Sequence, residues 1–342
     1  MDCSGASFGQ IGLDAAVDAV SVIYAKHDRH RSLWDIWSHA MHHAAAVAEE
    51  IRKRSLPEAS DEKLKQEIAD LTLWLFTMMA RLKGPLGSPM QDNEVPQDLV
   101  VRIPINPSDL MWNRYPGVCP WCYCAKHPDG SARIADADFQ QPCCCDSLGI
   151  SGRTKLKEEL RARAKRTRWL AKEHTSQRPQ SIDDWQDMIG MIYRERLRNA
   201  TLSEVALHLF EEMGETSDGL IRMYTYSSKD STEDEFPLRQ IRLEDELADV
   251  LSWLFGLVER LDLEIRNLPQ VGRSISSPTF STGRLLLSQI LGARYGADKG
   301  RTLRCFHCEG APCRCEVRLL QSEEDVEDLL AKLADPLKAD TA

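Results

Sequence analysis

Four carboxylates are spaced for work on a metal ion. Glu212 and Glu215 stand three apart in EEMGETSD, and Glu246 and Asp249 stand three apart in DELADVLSWL. On a helix, residues three apart share a face. An E-x-x-E alone fits an acidic helix face in solvent. Asp249 differs because LADVLSWLFGLV surrounds it with apolar residues on nearly every side, where an unpaired carboxylate is costly to bury. Four carboxylates meeting between two packed helices repel one another unless a cation sits among them. Oxygen ligands suit a hard divalent ion, Mg²⁺ or Mn²⁺.

The cysteines point to a second kind of metal. Cys119 and Cys122 form a C-x-x-C followed by Cys143 and Cys145. Cys305 and Cys308 form another, followed by Cys313 and Cys315. Two thiolate pairs at those spacings suit a closed tetrahedral Zn²⁺ site, and four sulfurs leave no position open for catalysis. Cys124 and Cys144 are extra thiols, and His307 competes as a ligand. A redox dithiol is the weaker alternative, because no βαβ pattern accompanies either pair. Each cluster is expected to clamp an irregular segment that follows an Arg-Tyr pair, Arg114-Tyr115 or Arg294-Tyr295.

The elements that must carry these groups recur. Glu67, Ala69, Asp70, Trp74, Leu75 and Phe76 return 179 residues later as Glu246, Ala248, Asp249, Trp253, Leu254 and Phe255. Upstream, Tyr24 and His39 return 169 residues later as Tyr193 and His208. One unit duplicated in tandem accounts for this. The expected organisation is a first repeat with its Cys-rich knuckle over 1–150, a basic linker over 151–180, a second repeat with knuckle over 181–320, and an acidic helix and tail over 321–342. Apolar residues step by three and four, predicting helices over 11–28, 32–54, 60–83, 181–199, 201–224 and 240–262. Ser181 is the expected N-cap of its helix, and residues 323–335 read as a final acidic helix. Pro and Gly cluster in 84–117 and 268–300, which should be loops with short helices. No alternating strand pattern competes, so the fold class is all-α.

Composition narrows the function classes. The chain has 342 residues, 42% hydrophobic and 28% charged, an ordinary globular balance. No apolar run approaches the length of a membrane span, and the N-terminus lacks a basic-then-apolar leader. A cytoplasmic protein without membrane attachment is expected. A net charge of −10 argues against a wholly nucleic-acid-binding surface. The exception is 152–178, with ten Lys/Arg against three Glu. It reads first as a solvated linker helix, and second as a surface for nucleotide phosphates or RNA.

EEMGE followed by ELADVLSWL resembles the MazG-like, all-α nucleoside triphosphate pyrophosphohydrolases, whose motif is E-x-x-E, a spacer, then E-x-x-D, often with a later Lys/Arg-Tyr-Pro segment. Here that segment reads Asn113-Arg114-Tyr115-Pro116 in the first repeat and Ala293-Arg294-Tyr295-Gly296 in the second. The spacer of 30 residues is longer than usual for the family. The resemblance implies that Glu212, Glu215, Glu246 and Asp249 hold Mg²⁺ and that a nucleoside triphosphate is cleaved between its α and β phosphates. Arg294, with Lys299 or Arg301, would balance phosphate charge. Trp253 lies one turn beyond Asp249 and reads first as core, second as a base-stacking platform. Family members commonly oligomerise through these helices, so a tandem copy implies a covalent pseudo-dimer, itself able to form a homo-oligomer.

The first repeat departs from the motif. His42-His43 stand where Glu211-Glu212 stand, Ala46 replaces Glu215, and Glu49 falls at Asp218, while Glu67 and Asp70 remain. The simplest account is a decayed site kept as a structural half. The other is a changed site in which His43, Glu67 and Asp70, with Glu49 nearby, hold Zn²⁺ or Mn²⁺. A second function class, a non-catalytic nucleotide sensor or zinc-knuckle adaptor using the basic linker, stays open at this level.

Overall fold

The computed structural model describes residues 11–28, 31–55, 60–83, 106–121, 143, 145, 157–224, 235–267, 284–296, 304, 305, 308 and 312–314. All regular elements among them are helical. Ten α-helices follow in order: α1 (Leu13–Asp28), α2 (Leu33–Lys53), α3 (Asp61–Leu82), α4 (Pro107–Arg114), α5 (Lys157–Glu173), α6 (Ile182–Ile192), α7 (Arg194–Asn199), α8 (Leu202–Tyr224), α9 (Glu235–Asn267) and α10 (Leu287–Tyr295). No described helix is long and apolar enough to cross a membrane.

Local signals set most helix ends. Ser32 and Ser181 open α2 and α6 with capping boxes closed by Asp35 and Asp184. Pro107 sits in the first turn of α4, where its missing N–H costs nothing. Two helices differ from the sequence expectation. The helix expected over 181–199 breaks at Tyr193, whose ring packs edge-on against Tyr115 and parallel to Trp253. No Pro or Gly marks that break, because distant rings impose it. The helix expected over 240–262 runs from Glu235 to Asn267, tolerating Pro237 in its first turn. The acidic helix expected over 323–335 lies outside the described residues.

The helices before and after α5 make matching contacts. α2 packs along α3 as α8 packs along α9, and α1 lies on α3 as α6 lies on α9. The α8–α9 approach is close: a Cβ on Gly219 would meet the Leu243 side chain at 3.2 Å. α2 and α8 touch between the halves, where Trp37 Nε1 donates to Ser217 Oγ at 2.7 Å. The short helices then cross over. α4, from the first half, packs on α9, and α10, from the second half, packs on α3. Each is anchored at its start in its own half. Ser108 donates to Asp14 from its backbone N–H at 2.8 Å, and Ser288 bonds Asp183 at the matching place.

One continuous core results, running from Leu13, Ile36 and Phe76 to Trp185, Leu254 and Phe255. The basic helix α5 is no free linker. Ala164, Thr167, Leu170 and Ala171 are buried, and Trp112 Nε1 donates to the Ala171 carbonyl at 2.7 Å. Arg168 pairs with Glu244 at 2.6 Å, tying α5 to α9. Its other face, with Arg161, Lys165, Arg166 and Trp169, is exposed.

Candidate metal centre and its counterpart

Glu212 and Glu215 project from α8, and Glu246 from α9, where those helices pack together. One carboxylate oxygen of each lies within 4.8 Å of the others. Asp249 adjoins this cluster, one turn beyond Glu246, and Asp245 lies beside it. Burial, then the charges of Asp249 and Glu215, push the Glu212 carboxyl up to about 8. Burial and the charges of Asp249, Glu215 and Glu212 push Glu246 up to about 10. Arg114 opposes both rises. The physical content is crowding of carboxyls at a partly buried place, with Glu215 its exposed member. A divalent cation relieves that crowding, and an all-oxygen donor set suits a hard one.

Asp249 is engaged from the other half. Arg114 donates Nε to Asp249 Oδ1 at 2.9 Å and Nη2 to Oδ2 at 2.7 Å, a bidentate pair. Tyr115 adds a hydrogen bond from its hydroxyl to Oδ1 at 2.5 Å, and accepts one from Ser252 at 3.0 Å. Arg114 Nη1 also reaches Asp245 at 3.1 Å. Burial disfavours the guanidinium charge, but Asp249 and Asp245 more than compensate and hold it firmly protonated. Burial, with Asp249 beside it, also keeps the Tyr115 phenol neutral far beyond ordinary pH.

The first half shows the reciprocal arrangement. Arg294 donates Nε and Nη2 to the two oxygens of Asp70, each at 2.9 Å, and the Tyr295 hydroxyl donates to Asp70. Arg294, expected to balance phosphate charge in the second half, therefore sits on the first half's aspartate. His43 Nδ1 lies 3.0 Å from Glu67 Oε2, and His43, Glu67 and Asp70 form a compact group. Glu49 stands apart from that group, paired with Lys53 at 2.6 Å on the exposed side of α2. Gln66 occupies the place of Asp245, so Arg294 meets one carboxylate where Arg114 meets two.

Trp253 is nearly buried, stacked on His208 at 4.5 Å between ring centroids and on Tyr193 at 6.1 Å, with the Arg196 guanidinium 5.1 Å from its ring. Trp74 stacks on His39 at 4.3 Å. Both rings are filled on a face by the protein itself, in keeping with a packing role.

The described cysteines form two clusters that could bind a metal, Cys119 with Cys143 and Cys145, and Cys305 with Cys308 and Cys313. Sulfur separations are 3.7 Å for Cys119–Cys145, 3.7 Å for Cys308–Cys313 and 3.2 Å for Cys305–Cys313. His27, on α1, brings Nε2 to 3.3 Å from Cys313 Sγ. Each cluster is pinned to the opposite half. The Cys143 N–H donates to the Ile192 carbonyl at 2.5 Å, and the Cys313 N–H to the Ile23 carbonyl at 2.8 Å. Cys122, Cys315, Lys299, Arg301, Cys124, Cys144 and His307 lie outside the described residues.

Asp245, the crosswise role of Arg114 and Tyr115, and His27 escaped the sequence reading. The Arg-Tyr doublet was visible twice, but nothing in its spacing says which half it serves. Comparison of the chain with family models, curated proteins and solved structures finds no match.

Proposed function

We propose that the second half is a divalent-metal-dependent nucleoside triphosphate pyrophosphohydrolase, releasing a nucleoside monophosphate and pyrophosphate. The observation that supports this most is the convergence of Glu212, Glu215 and Glu246 within 4.8 Å, in surroundings that raise the carboxyl pKa of Glu212 and Glu246. Those three residues would hold Mg²⁺ or Mn²⁺, with Asp249 supplying adjacent negative charge. A bound divalent ion supplies neutralisation of triphosphate charge and a more acidic water. The chain's own contribution is positioning: α8 and α9 fix the carboxylates, and Arg114 with Tyr115 fixes Asp249.

On this reading the molecule is a tandem-duplicated pseudo-dimer of MazG-like bundles with one competent site, and the cysteine clusters hold structural Zn²⁺. The 3.7 Å separations of Cys119–Cys145 and Cys308–Cys313 support the zinc assignment, since tetrahedral arms of about 2.3 Å give edges of about 3.8 Å. Purified protein with Mg²⁺, screened against NTPs and dNTPs for pyrophosphate, tests the activity. Release that vanishes in Glu246→Gln supports it, and no release from any nucleotide overturns it.

A further inference from the structure

The two halves are joined by more than a shared core. Starting from the N-terminal cysteine cluster, Trp121 lies two residues after Cys119, and its N–H donates to Cys119 Sγ at 3.4 Å. The Trp121 ring lies under two guanidinium groups, Arg163 from α5 at 3.8 Å and Arg114 at 5.6 Å. Arg114 and Tyr115 then grip Asp249 through three hydrogen bonds. Between Tyr115 and Cys119 the chain turns through Gly117, at φ 76°. That turn is short and closed by a Gly117 N–H to Tyr115 carbonyl bond at 2.8 Å. The cluster is held against the second half by the Cys143–Ile192 backbone bond. An unbroken series of packed groups therefore runs from the thiols to the carboxylate.

We propose that the halves serve each other crosswise: the N-terminal cysteine cluster, by holding Trp121, Arg114 and Tyr115 in place, positions Asp249 and so sets how well the second half's acidic site binds its divalent ion. Arg114 and Tyr115 are positioning residues for that site. This rests on the proposed metal role of Glu212, Glu215 and Glu246. The C-terminal cluster is built the same way toward the first half. Arg304 N–H donates to the Tyr295 carbonyl at 2.7 Å, and Arg294 and Tyr295 grip Asp70. It therefore supplies an internal control within the same chain.

Three bonds fix Asp249 before any ion arrives. Without them the carboxylate must be ordered as part of binding, which weakens affinity. Coupling of this kind is also reciprocal, because an ion at one site and an ion at the other change each other's affinity by the same factor.

The test uses the full chain and Mn²⁺ titrations followed by electron paramagnetic resonance. Wild-type protein is expected to bind Mn²⁺ in a manner abolished by Glu246→Gln. Cys119→Ser and Tyr115→Phe should each weaken that Mn²⁺ binding about tenfold, the span of ordinary site-to-site coupling. Cys308→Ser should leave it within about twofold. If Cys119→Ser does not fold, wild-type protein stripped of thiolate-bound metal by a chelator and Tyr115→Phe carry the same comparison. Unchanged Mn²⁺ affinity in Tyr115→Phe and in stripped protein overturns the crosswise inference alone. Equal weakening by Cys308→Ser and Cys119→Ser also overturns it, since that is general loosening. Wild-type protein that binds no Mn²⁺ through Glu246 overturns the proposed metal site, and this inference with it.

Discussion

The same Arg-Tyr grip closes on an aspartate in both halves, yet the charge around it differs. In the second half, Arg114 is the cation among Glu212, Glu215, Glu246, Asp245 and Asp249. In the first half, Arg294 meets Asp70 alone, and neighbouring Glu67 is already hydrogen-bonded to His43. One corner holds more carboxyl groups than its arginine could balance were all of them ionised, which is why two of them are pushed toward the protonated form. The other holds fewer carboxylates, Asp70 on Arg294 and Glu67 on His43. On the proposed reading a divalent cation relieves the first of these corners, while the second has fewer carboxylates to neutralise. Three differences, His43, Ala46 and Gln66, lower the number of carboxylates in the first half and leave the clasp intact.

The sharpest way to break this contrast is Glu246→Gln. It keeps the shape and removes a charge from the crowded corner. Pyrophosphate release should fall roughly a thousandfold or more, about 4 kcal/mol of barrier at 1.36 kcal/mol per decade. In chelator the same variant should melt higher than wild type, because one repelling carboxyl is gone. A steady-state pyrophosphate assay and a thermal melt in chelator read both. Retained turnover would mean that the acidic corner is not the catalytic one.

Next in size is the pair Asp249→Asn and Asp70→Asn. Each breaks a bidentate Arg clasp; Asp249→Asn, which orphans the buried Arg114, should cost about 3–5 kcal/mol in urea unfolding, and Asp70→Asn, whose partner Arg294 is partly exposed, less. Only Asp249→Asn should also abolish turnover. Equal losses of turnover in both would replace one competent site by two working sites, or by one site shared between the halves.

The cysteine clusters offer a comparison without activity. Metal analysis of protein purified without chelator should find about two zinc ions per chain, by the four-thiolate count. Cys308→Ser should lower that to about one and destabilise the Arg294–Asp70 side first, detectable as faster hydrogen exchange in α3 than in α9. Protein without zinc would sink the assignment of both clusters.

The last contrast is in pH. Glu212 and Glu246 have native values near 8 and 10, above the ordinary 4.5. A carboxyl raised in the native state favours its protonated form there, so the fold loses stability as pH rises from about 5 toward 8 to 10. Metal-free protein should therefore show a falling melting temperature over that window, and Mg²⁺ should flatten it. Glu246→Gln should flatten it without metal. A melting temperature independent of pH in chelator would show that the corner is not crowded.

Much of the fold was legible because its signals are local. The starts of α1, α2 and α3 fall within two residues of the sequence reading. Caps such as Ser32 and Ser181, and the three-four stepping of apolar residues, act over one or two turns. Asp249 declared itself by an apolar frame that made its charge conspicuous. Glu49 misled because its position in the repeat suggested a ligand, whereas Lys53, one turn on, takes it. The break at Tyr193 carried no local mark, since the rings that impose it belong to Tyr115 and Trp253.

The sequence by itself determined that there are two helical halves of one pattern, that one holds the fuller set of carboxylates, and that each carries a cysteine cluster. What only the tertiary structure decided is who serves whom. Arg114 and Arg294 stand in like surroundings, each followed by tyrosine, and each could have reached the aspartate of its own half or of the other. Both partners offer the same fork and the same carboxylate, so complementarity cannot choose between them. The choice falls to the packing of α4 on α9 and of α10 on α3, contacts between residues more than a hundred positions apart, which no local pattern encodes.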